Sequence, residues 1–322
     1  MPCIVTVSAP SRLHFGLWSL GGAGRQYGGV GAMVERPGLQ LSIRPAETFL
    51  AAGPLWARVH PFATRWAEFH RMDVPACRVE IESAPAEHAG LGTGTQLGLA
   101  IAAGLSALVG LPSQSAQELA LSVGRGLRSA VGSYGFVQGG LIVEQGKLPG
   151  EPISPLDCRL DLPAPWRFVL VRPLVLAGLA GDEEASAIDS LPAIPGDATL
   201  RMIDLVRDHL VPAAATGQFD PFAESLRRYG ELSGQCFAAR QGGTYNGPIL
   251  TRWVRRIQEL GAVGVGQSSW GPTLFVVQPN EAAAQALAQK LQAEPTSNSE
   301  ELEIVVTPPA NRGATITVQE ER

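Results

Sequence analysis

Residues 90–109 read GLGTGTQLGLAIAAGLSALV, a glycine-rich loop followed by a long uncharged run. Its first six residues hold three glycines, and glycine allows successive backbone N–H groups to converge into a concave loop. Residues 96–109 carry no charge and are apolar on all sides, which is typical of a helix buried inside a domain. The free amides and the positive dipole end of such a helix attract anions. This pattern therefore predicts a phosphate or pyrophosphate site.

The residues of this predicted site are Gly90, Leu91, Gly92, Thr93, Gly94, Thr95 and, as a further contact, Gln96. Two plainer interpretations are open, an ordinary glycine-rich helix entry and glycines that allow close helix packing. The segment lacks the Gly-Lys-Ser/Thr ending of a Walker loop and the spacing of a Rossmann fingerprint. Its strongly apolar part, 97–111, is shorter than the about 20 residues of a membrane helix, so we expect no membrane partner.

Around this helix, strands and helices mix without strict βαβ alternation, which predicts an α+β protein. Strands are expected at 4–8 (ended by Pro10), 31–35, 39–44, 77–83, 141–145, 167–172, 262–265, 273–278 and 302–307. Helices are expected at 58–72, 96–109, 116–128, 198–216, 220–238, 247–260 and 281–293. A proline-rich stretch at 150–165 predicts a boundary between domains 1–160 and 161–322.

Composition excludes several classes of protein. The 322 residues are 45% hydrophobic, enough for a sizeable core, and the formal net charge is −5. A negative net charge gives no general attraction for nucleic acid. An anionic ligand must therefore be held by hydrogen-bond donors and cations within its own site. The cysteines have no paired spacing, and no basic-then-apolar leader is visible, so reduced thiols in the cytoplasm are expected. The sequence leaves a homodimer open.

Two more glycine-rich segments follow, at 125–140 and 261–272. These two segments, the Ala-Pro-Ser-Arg segment at 9–12 and the loop at 90–94 have the same order and spacing as the motifs of the GHMP kinases. The sequence therefore resembles this superfamily along nearly its whole length. The resemblance implies an N-terminal ribosomal-S5-like domain and a C-terminal ferredoxin-like domain, with the site in the cleft between them.

A narrower resemblance is to the β-ribofuranosylaminobenzene 5′-phosphate synthases of methanopterin biosynthesis. It rests on SRLHFGL at 11–17, YGGVG at 27–31, GLGTGTQL at 90–97 and GRG at 124–126. The resemblance implies a Mg²⁺-dependent transferase that joins 5-phosphoribosyl 1-diphosphate to 4-aminobenzoate, or a related 4-substituted benzoate, with loss of CO₂ and pyrophosphate. Two alternatives are an ATP-dependent small-molecule kinase and a non-catalytic member that binds a nucleotide or sugar phosphate.

One departure from the kinase pattern favours the synthase. Kinases of this superfamily usually carry an aspartate base about seven residues before a Gly-Gly pair, and that position here is Gly132. No carboxylate lies between Glu118 and Glu144 in the sequence. In the phosphate loop the second hydroxyl position is Gly94, which leaves Thr93 and Thr95 as candidates to face magnesium.

Four arginines lie beside glycine-rich segments, and a guanidinium suits bidentate recognition of phosphate or carboxylate. They are Arg12, Arg25, Arg125 and Arg128. Arg25 and His14 are the predicted catalytic residues, although Arg25 could be a solvated loop tip and His14 a structural histidine. Arg128 could instead complement a helix dipole. A second wall of the site is predicted at Gly264, Gly266, Gln267 and Ser268.

A few other side chains have a functional and a plainer interpretation. His88 precedes the phosphate loop, and the acidic run at 182–184 could reach a metal, although a solvated loop face fits it better. Tyr27 and Trp270 could flank an aromatic ligand or pack in the core. Ser115 and Glu118 have the spacing of a helix capping box.

Overall fold

The computed structural model describes residues 3–22, 24–178, 190–294 and 301–320. Strands β1 to β11 are Cys3–Leu17, Gly29–Pro45, Leu50–Ala52, Cys77–Ser83, Leu141–Glu144, Leu156–Leu160, Arg167–Pro173, Val265–Gln267, Leu274–Gln278, Leu302–Thr307 and Thr315–Glu320. Helices α1 to α10 are Val59–His70, Thr93–Leu108, Ala116–Ser122, Val131–Gln138, Gly196–Asp204, Val211–Ala215, Phe219–Cys236, Ala238–Gln241, Gly247–Glu259 and Glu281–Gln292. A π-helical section, Leu205–Leu210, joins α5 to α6.

The first sheet has seven strands. Strands β11, β1, β2, β4 and β3 lie side by side in that order, while β5 pairs with β2, and β6 pairs with β5. Helix α2 packs on β1 and β2, and its residues Leu97, Leu99 and Ile101 have no exposed surface. The buried helix predicted from the sequence is confirmed. It begins at Thr93, directly after Gly92 adopts a left-handed φ of 72°.

The second sheet has four strands in the order β10-β7-β9-β8, all antiparallel. Because side chains alternate across a strand, β9 directs Leu274 and Val276 to one face and Phe275 and Val277 to the other. Helices α9 and α10 cover the first of these faces, and helix α7 packs against the second.

The two sheets meet at the end of β1. The Phe15 ring lies 4.8 Å from the Phe275 ring, centroid to centroid, within a core that both halves share. Helix α7 is fastened to the same place, because Tyr229 Oη donates to the Gly16 carbonyl at 2.7 Å and Ser233 Oγ donates to the Leu17 carbonyl at 2.9 Å. This junction fixes the position of the residues around His14.

Much of the predicted pattern is confirmed. The class is α+β, β4 and β10 have the expected bounds, and α1 differs from its expected range by one or two residues. Ser115 and Glu118 form the expected capping box at the start of α3. That helix ends at Ser122, however, and not near 128. The two following glycines, Gly124 and Gly126, take positive φ values that a helix does not allow.

Two strand predictions are wrong. Strand β1 was expected to end at Pro10 but continues to Leu17, because a register shift between Ala9 and Ser11 accommodates the proline. The two strands expected at 31–35 and 39–44 are one strand, β2, since β1 pairs with it on both sides of the Pro37-Gly38 pair. Strands β6 and β11 and helix α4 were not foreseen.

Strand β11 returns from the second half of the chain to the first sheet, where it pairs with β1 from Cys3↔Glu320 to Ser8↔Thr315. Residues 315–320, expected in the domain 161–322, therefore complete the sheet of the first half. No helix in the described residues is long and apolar enough to cross a membrane.

Candidate functional site

A cavity of about 440 Å³ lies between the two halves of the molecule. The first half contributes the end of β1 and the segment 124–129, which connects α3 to α4. The second half contributes the end of α7, residues 237–245 and the segment after β8. The cavity thus combines two of the glycine-rich segments that the sequence singles out.

Three of the four predicted arginines line this cavity: Arg12, Arg125 and Arg128. Arg12 lies on β1, and the other two lie in the segment 124–129. The guanidinium carbon of Arg125 is 5.1 Å from the centroid of the Phe62 ring, which restricts where this side chain can go. Three cations around one cavity favour an anionic ligand, although the chain as a whole is acidic.

His14 also lines the cavity and is 5% exposed. Its Nε2 is 3.0 Å from Ser129 Oγ. Ser129 Oγ in turn donates to Glu144 Oε1 at 2.5 Å, and the Ala130 N–H donates to Glu144 Oε2 at 2.6 Å. A histidine, a hydroxyl and a carboxylate are therefore joined in one hydrogen-bonded chain.

Burial has opposite effects on the two ends of this chain. It lowers the pKa of His14 to about 3, with a further contribution from the nearby charge of Arg12. It raises the pKa of the fully buried Glu144 to about 7, although the hydrogen bonds from Ser129 and Ala130 oppose the shift. At neutral pH His14 is uncharged, and Glu144 is close to its own midpoint.

Ser129 and Glu144 were not predicted as site residues from the sequence. Glu144 ends the strand Leu-Ile-Val-Glu, which is buried at every position. A carboxylate in such an apolar strand is a signal for a paired or functional acid, because burying an unpartnered charge is costly. Ser129 gives no comparable signal in the sequence.

The glycines of the loop at 90–95 are closely packed. A Cβ at Gly90 would overlap the Ser268 carbonyl, and a Cβ at Gly92 would lie 3.1 Å from both Cβ and Nε of Arg12. At Gly94 it would lie 2.7 Å from a guanidinium nitrogen of Arg58. These three glycines therefore allow close approach of neighbouring segments, which differs from the helix-against-helix packing of the plainer interpretation. Thr95 lines the cavity, so the start of α2 borders the site.

Ser268 connects the cavity wall of the second half to residues of the first half by two hydrogen bonds. Its buried Oγ accepts the His14 N–H at 3.0 Å and donates to the Gly90 carbonyl at 2.7 Å. Gln267 lines the cavity, but its side chain accepts from the Asn246 N–H and donates to the Ser269 carbonyl. Both side chains therefore hold this segment in place.

Gly264 and Gly266 serve packing in the second sheet. A Cβ at Gly264 would overlap Val277, and a Cβ at Gly266 would lie 2.5 Å from the Phe275 ring. The cavity wall in this half includes three aromatic residues, Phe237, Tyr245 and Trp270, beside polar ones such as Gln241, Thr244 and Gln267. Of the three aromatic residues, only Trp270 was considered from the sequence. Phe237 and Trp270 pack edge to face, 5.7 Å apart.

Several predicted residues lie apart from the cavity. Arg25 makes two hydrogen bonds to the Glu151 carboxylate, at 2.7 and 3.0 Å, and a third to the Gly146 carbonyl. Gln96 is buried and donates to the Gly132 carbonyl at 3.0 Å. Tyr27 and His88 are outside the cavity lining. The acidic run at 182–184 lies outside the described residues.

The residues described do not fit a magnesium ion held by the protein. Thr93 Oγ1 is buried and donates to the Ala86 carbonyl at 3.1 Å. Thr95 reaches the cavity without a neighbouring carboxylate, since Glu144 is buried behind Ser129. Within the described ranges, no group of three or more His, Cys, Asp or Glu side chains could hold a metal.

Comparisons with known proteins agree with this architecture. Residues 210–296 match the family described as GHMP kinases C terminal. A β-ribofuranosylphenol 5′-phosphate synthase of Archaeoglobus fulgidus is 29% identical over 98% of this chain and 100% of its own length. A protein of the same name from Methanothermobacter thermautotrophicus is 29% identical over 84% of this chain and 88% of its own length. A homoserine kinase structure from Cytophaga hutchinsonii superposes with a TM-score of 0.70 and 16% identity, covering 98% of this chain and 97% of that one.

Proposed function

We propose that this chain, which has the GHMP kinase fold and a GHMP kinase C-terminal region, joins the sugar of 5-phosphoribosyl 1-diphosphate to a 4-substituted benzoate. The resemblance to this superfamily that the sequence motifs predict is confirmed by the match at 210–296 and by the fold. Similarity over nearly the full length to proteins named as synthases supports an enzyme of that type.

The proposed reaction forms a carbon–carbon bond. The ring carbon that bears the carboxylate attacks the anomeric carbon of the sugar, and pyrophosphate leaves with the electron pair of the broken bond. Carbon dioxide then leaves, and its bonding pair restores the aromatic ring. The relatives are named for a phenol product, which corresponds to 4-hydroxybenzoate as the acceptor; 4-aminobenzoate would give the aniline.

The observation that carries the proposal is the composition of one cavity. Arg12, Arg125 and Arg128 come from the first half, and Phe237, Tyr245 and Trp270 come from the second. Guanidinium groups suit the phosphates of the sugar substrate, and aromatic walls suit a benzoate ring. Two substrates held against each other in this way react as if at very high concentration.

The kinase alternative has less support from the described residues. At Gly132, where kinases of this superfamily usually carry the base, a Cβ would lie 3.2 Å from Thr95 Cγ2 and 3.4 Å from Gln96 Nε2. The Gln96 amide lies beside this position and donates to the Gly132 carbonyl. With glycine there, this position supplies no carboxylate that could act as a base.

The test is to incubate the protein with Mg²⁺, 5-phosphoribosyl 1-diphosphate and either 4-hydroxybenzoate or 4-aminobenzoate, and to measure CO₂ and pyrophosphate. We expect both to form in equal amounts, and only when an acceptor is present. Arg128→Ala should raise KM for the phosphoribosyl substrate, and Arg25→Ala is the control with an arginine outside the cavity. Phosphorylation of a hydroxyl substrate by ATP at a higher rate would overturn the proposal.

A further inference from the structure

The hydrogen-bonded chain from His14 to Glu144 suggests a role that the anion site does not explain. We propose that Glu144, acting through Ser129, sets which nitrogen of His14 carries a proton and receives the proton that His14 removes from the acceptor's 4-hydroxyl. The inference rests on the proposed function and extends it to how the acceptor is activated. His14 is the residue that would touch the substrate, and Glu144 is a positioning residue.

The direction of each hydrogen bond follows from counting protons. Ser129 has one hydroxyl proton, and with Glu144 ionised that proton is donated to Oε1 over 2.5 Å. Ser129 Oγ must then accept from His14 Nε2, which lies 3.0 Å away. The Val131 N–H, 3.3 Å from the same oxygen, is consistent with Ser129 as an acceptor. His14 therefore carries its proton on Nε2, and Nδ1 keeps a lone pair that can accept a proton.

Protonation of Glu144 reverses the direction of the hydrogen bonds that link Glu144, Ser129 and His14. The Ala130 N–H still donates to Oε2, so the new proton resides on Oε1 and is donated to Ser129. Ser129 then donates to His14 Nε2, and the ring carries its proton on Nδ1. A proton can thus enter at Nδ1 and finish on Glu144 while the ring remains neutral throughout.

A neutral ring is what this environment requires. Burial and Arg12 hold the pKa of His14 at about 3, so an imidazolium would be costly. A carboxylate whose pKa is about 7 is a suitable final acceptor. Besides His14, the groups that face Glu144 are Ser154 and Arg12, whose hydrogen bond and charge lower its pKa, and the tyrosines Tyr134 and Tyr229, whose own pKa values are raised in part by its charge.

The proton steps balance with the proposed reaction. The 4-hydroxyl proton goes to His14 Nδ1, the Nε2 proton goes to Ser129, and the Ser129 proton goes to Glu144. The oxygen lone pair then enters the ring and makes the carboxyl-bearing carbon nucleophilic. After the carbon–carbon bond has formed and pyrophosphate and CO₂ have left, the proton returns along the same chain to the product phenolate.

An amine at the same position makes a different demand. The neutral nitrogen of 4-aminobenzoate can donate its lone pair into the ring without first losing a proton. The relay should therefore matter for a hydroxyl acceptor and be nearly irrelevant for an amino acceptor. This contrast separates a proton relay from a general loss of site structure.

The kinetic test compares both acceptors in Glu144→Gln, Ser129→Ala and Ser129→Thr. With 4-hydroxybenzoate we expect the first two variants to lose about 100-fold in kcat at nearly constant KM, the usual size of a general-base effect, and Ser129→Thr to recover most of it. With 4-aminobenzoate we expect changes within about threefold. Ser133→Ala is the matched control, because Ser133 is a buried serine of α4 outside the relay. Equal losses with both acceptors would overturn the relay.

A second measurement needs no turnover. In protein with ¹⁵N-labelled histidine, long-range ¹H–¹⁵N spectra assigned with His14→Asn should show the proton of His14 on Nε2 above about pH 7 and on Nδ1 below it, because Glu144 titrates there. Glu144→Gln should fix Nδ1–H on both sides of pH 7, since its NH₂ must donate to Ser129 while its oxygen accepts from Ala130. An unchanged tautomer in the wild type would overturn the relay. Inactivity of the wild type with both acceptors would overturn only the proposed function.

Discussion

Replacing Ser268 by alanine should destabilise the protein and loosen the site at the same time. The hydroxyl has no exposed surface and satisfies two backbone groups from the other half of the molecule, the His14 N–H and the Gly90 carbonyl. Alanine would leave both without a partner, and each such buried group costs about 1–3 kcal/mol. For the two groups together we expect a loss of about 2–6 kcal/mol in the free energy of unfolding.

For a chain of 322 residues this loss corresponds to a fall of about 3–9 °C in Tm. The assay is urea unfolding and a thermal melt, with Ser133→Ala measured beside it. Ser133 is equally buried, yet its Oγ has no hydrogen-bond partner among the described residues, so its loss should cost almost nothing. If the two variants unfold at the same denaturant concentration, the Ser268 hydroxyl does not join the two halves as argued here.

Three further outcomes are expected. Arg25→Ala should lower stability by about 1 kcal/mol, because its pair with Glu151 is only partly buried, and should leave kcat/KM within about threefold of the parent by steady-state kinetics. Gly92→Val should lower both Tm and affinity for the phosphoribosyl substrate in melts and titrations, since φ is 72° and the new Cβ would press on Arg12. The pKa of Glu144 is raised to about 7 in the folded protein, so its contribution to stability is complete below its unfolded value and is lost as pH rises through about 7. Unfolding measured across this range should show that fall in the parent and lack it in Glu144→Gln.

Elements with a local pattern were predictable from the sequence. Strand β4 alternates polar and apolar residues, and α1 and α2 have the apolar spacing of half-buried and fully buried helices. Strand β11 was missed although Ile316 and Val318 alternate with polar residues, as in a strand, and both side chains are exposed. Strand β1 was predicted too short because only its pairing with β2 shows that Pro10 is tolerated.

The candidate site was predictable where glycine and arginine mark it locally, and not where distant residues decide. Arg25 was expected to be available to substrate, but its partner Glu151 lies 126 residues later in the chain. The contact between His14 and Ser268 spans 254 residues. Nothing within a short window of sequence specifies such pairs, because a side chain's hydrogen-bond partner depends on the tertiary fold.

The pairing of β11 with β1 has a consequence for how the protein is made. Domains tend to fold as they leave the ribosome, N-terminal parts first. Here Cys3 pairs with Glu320, so this edge of β1 stays unpaired until residues 315–320 have also been translated. A strand edge exposed for that long is a template for pairing with other nascent chains. Closure of this sheet is therefore a late event of high contact order, during which a chaperone that shields β1 would improve the yield of folded protein.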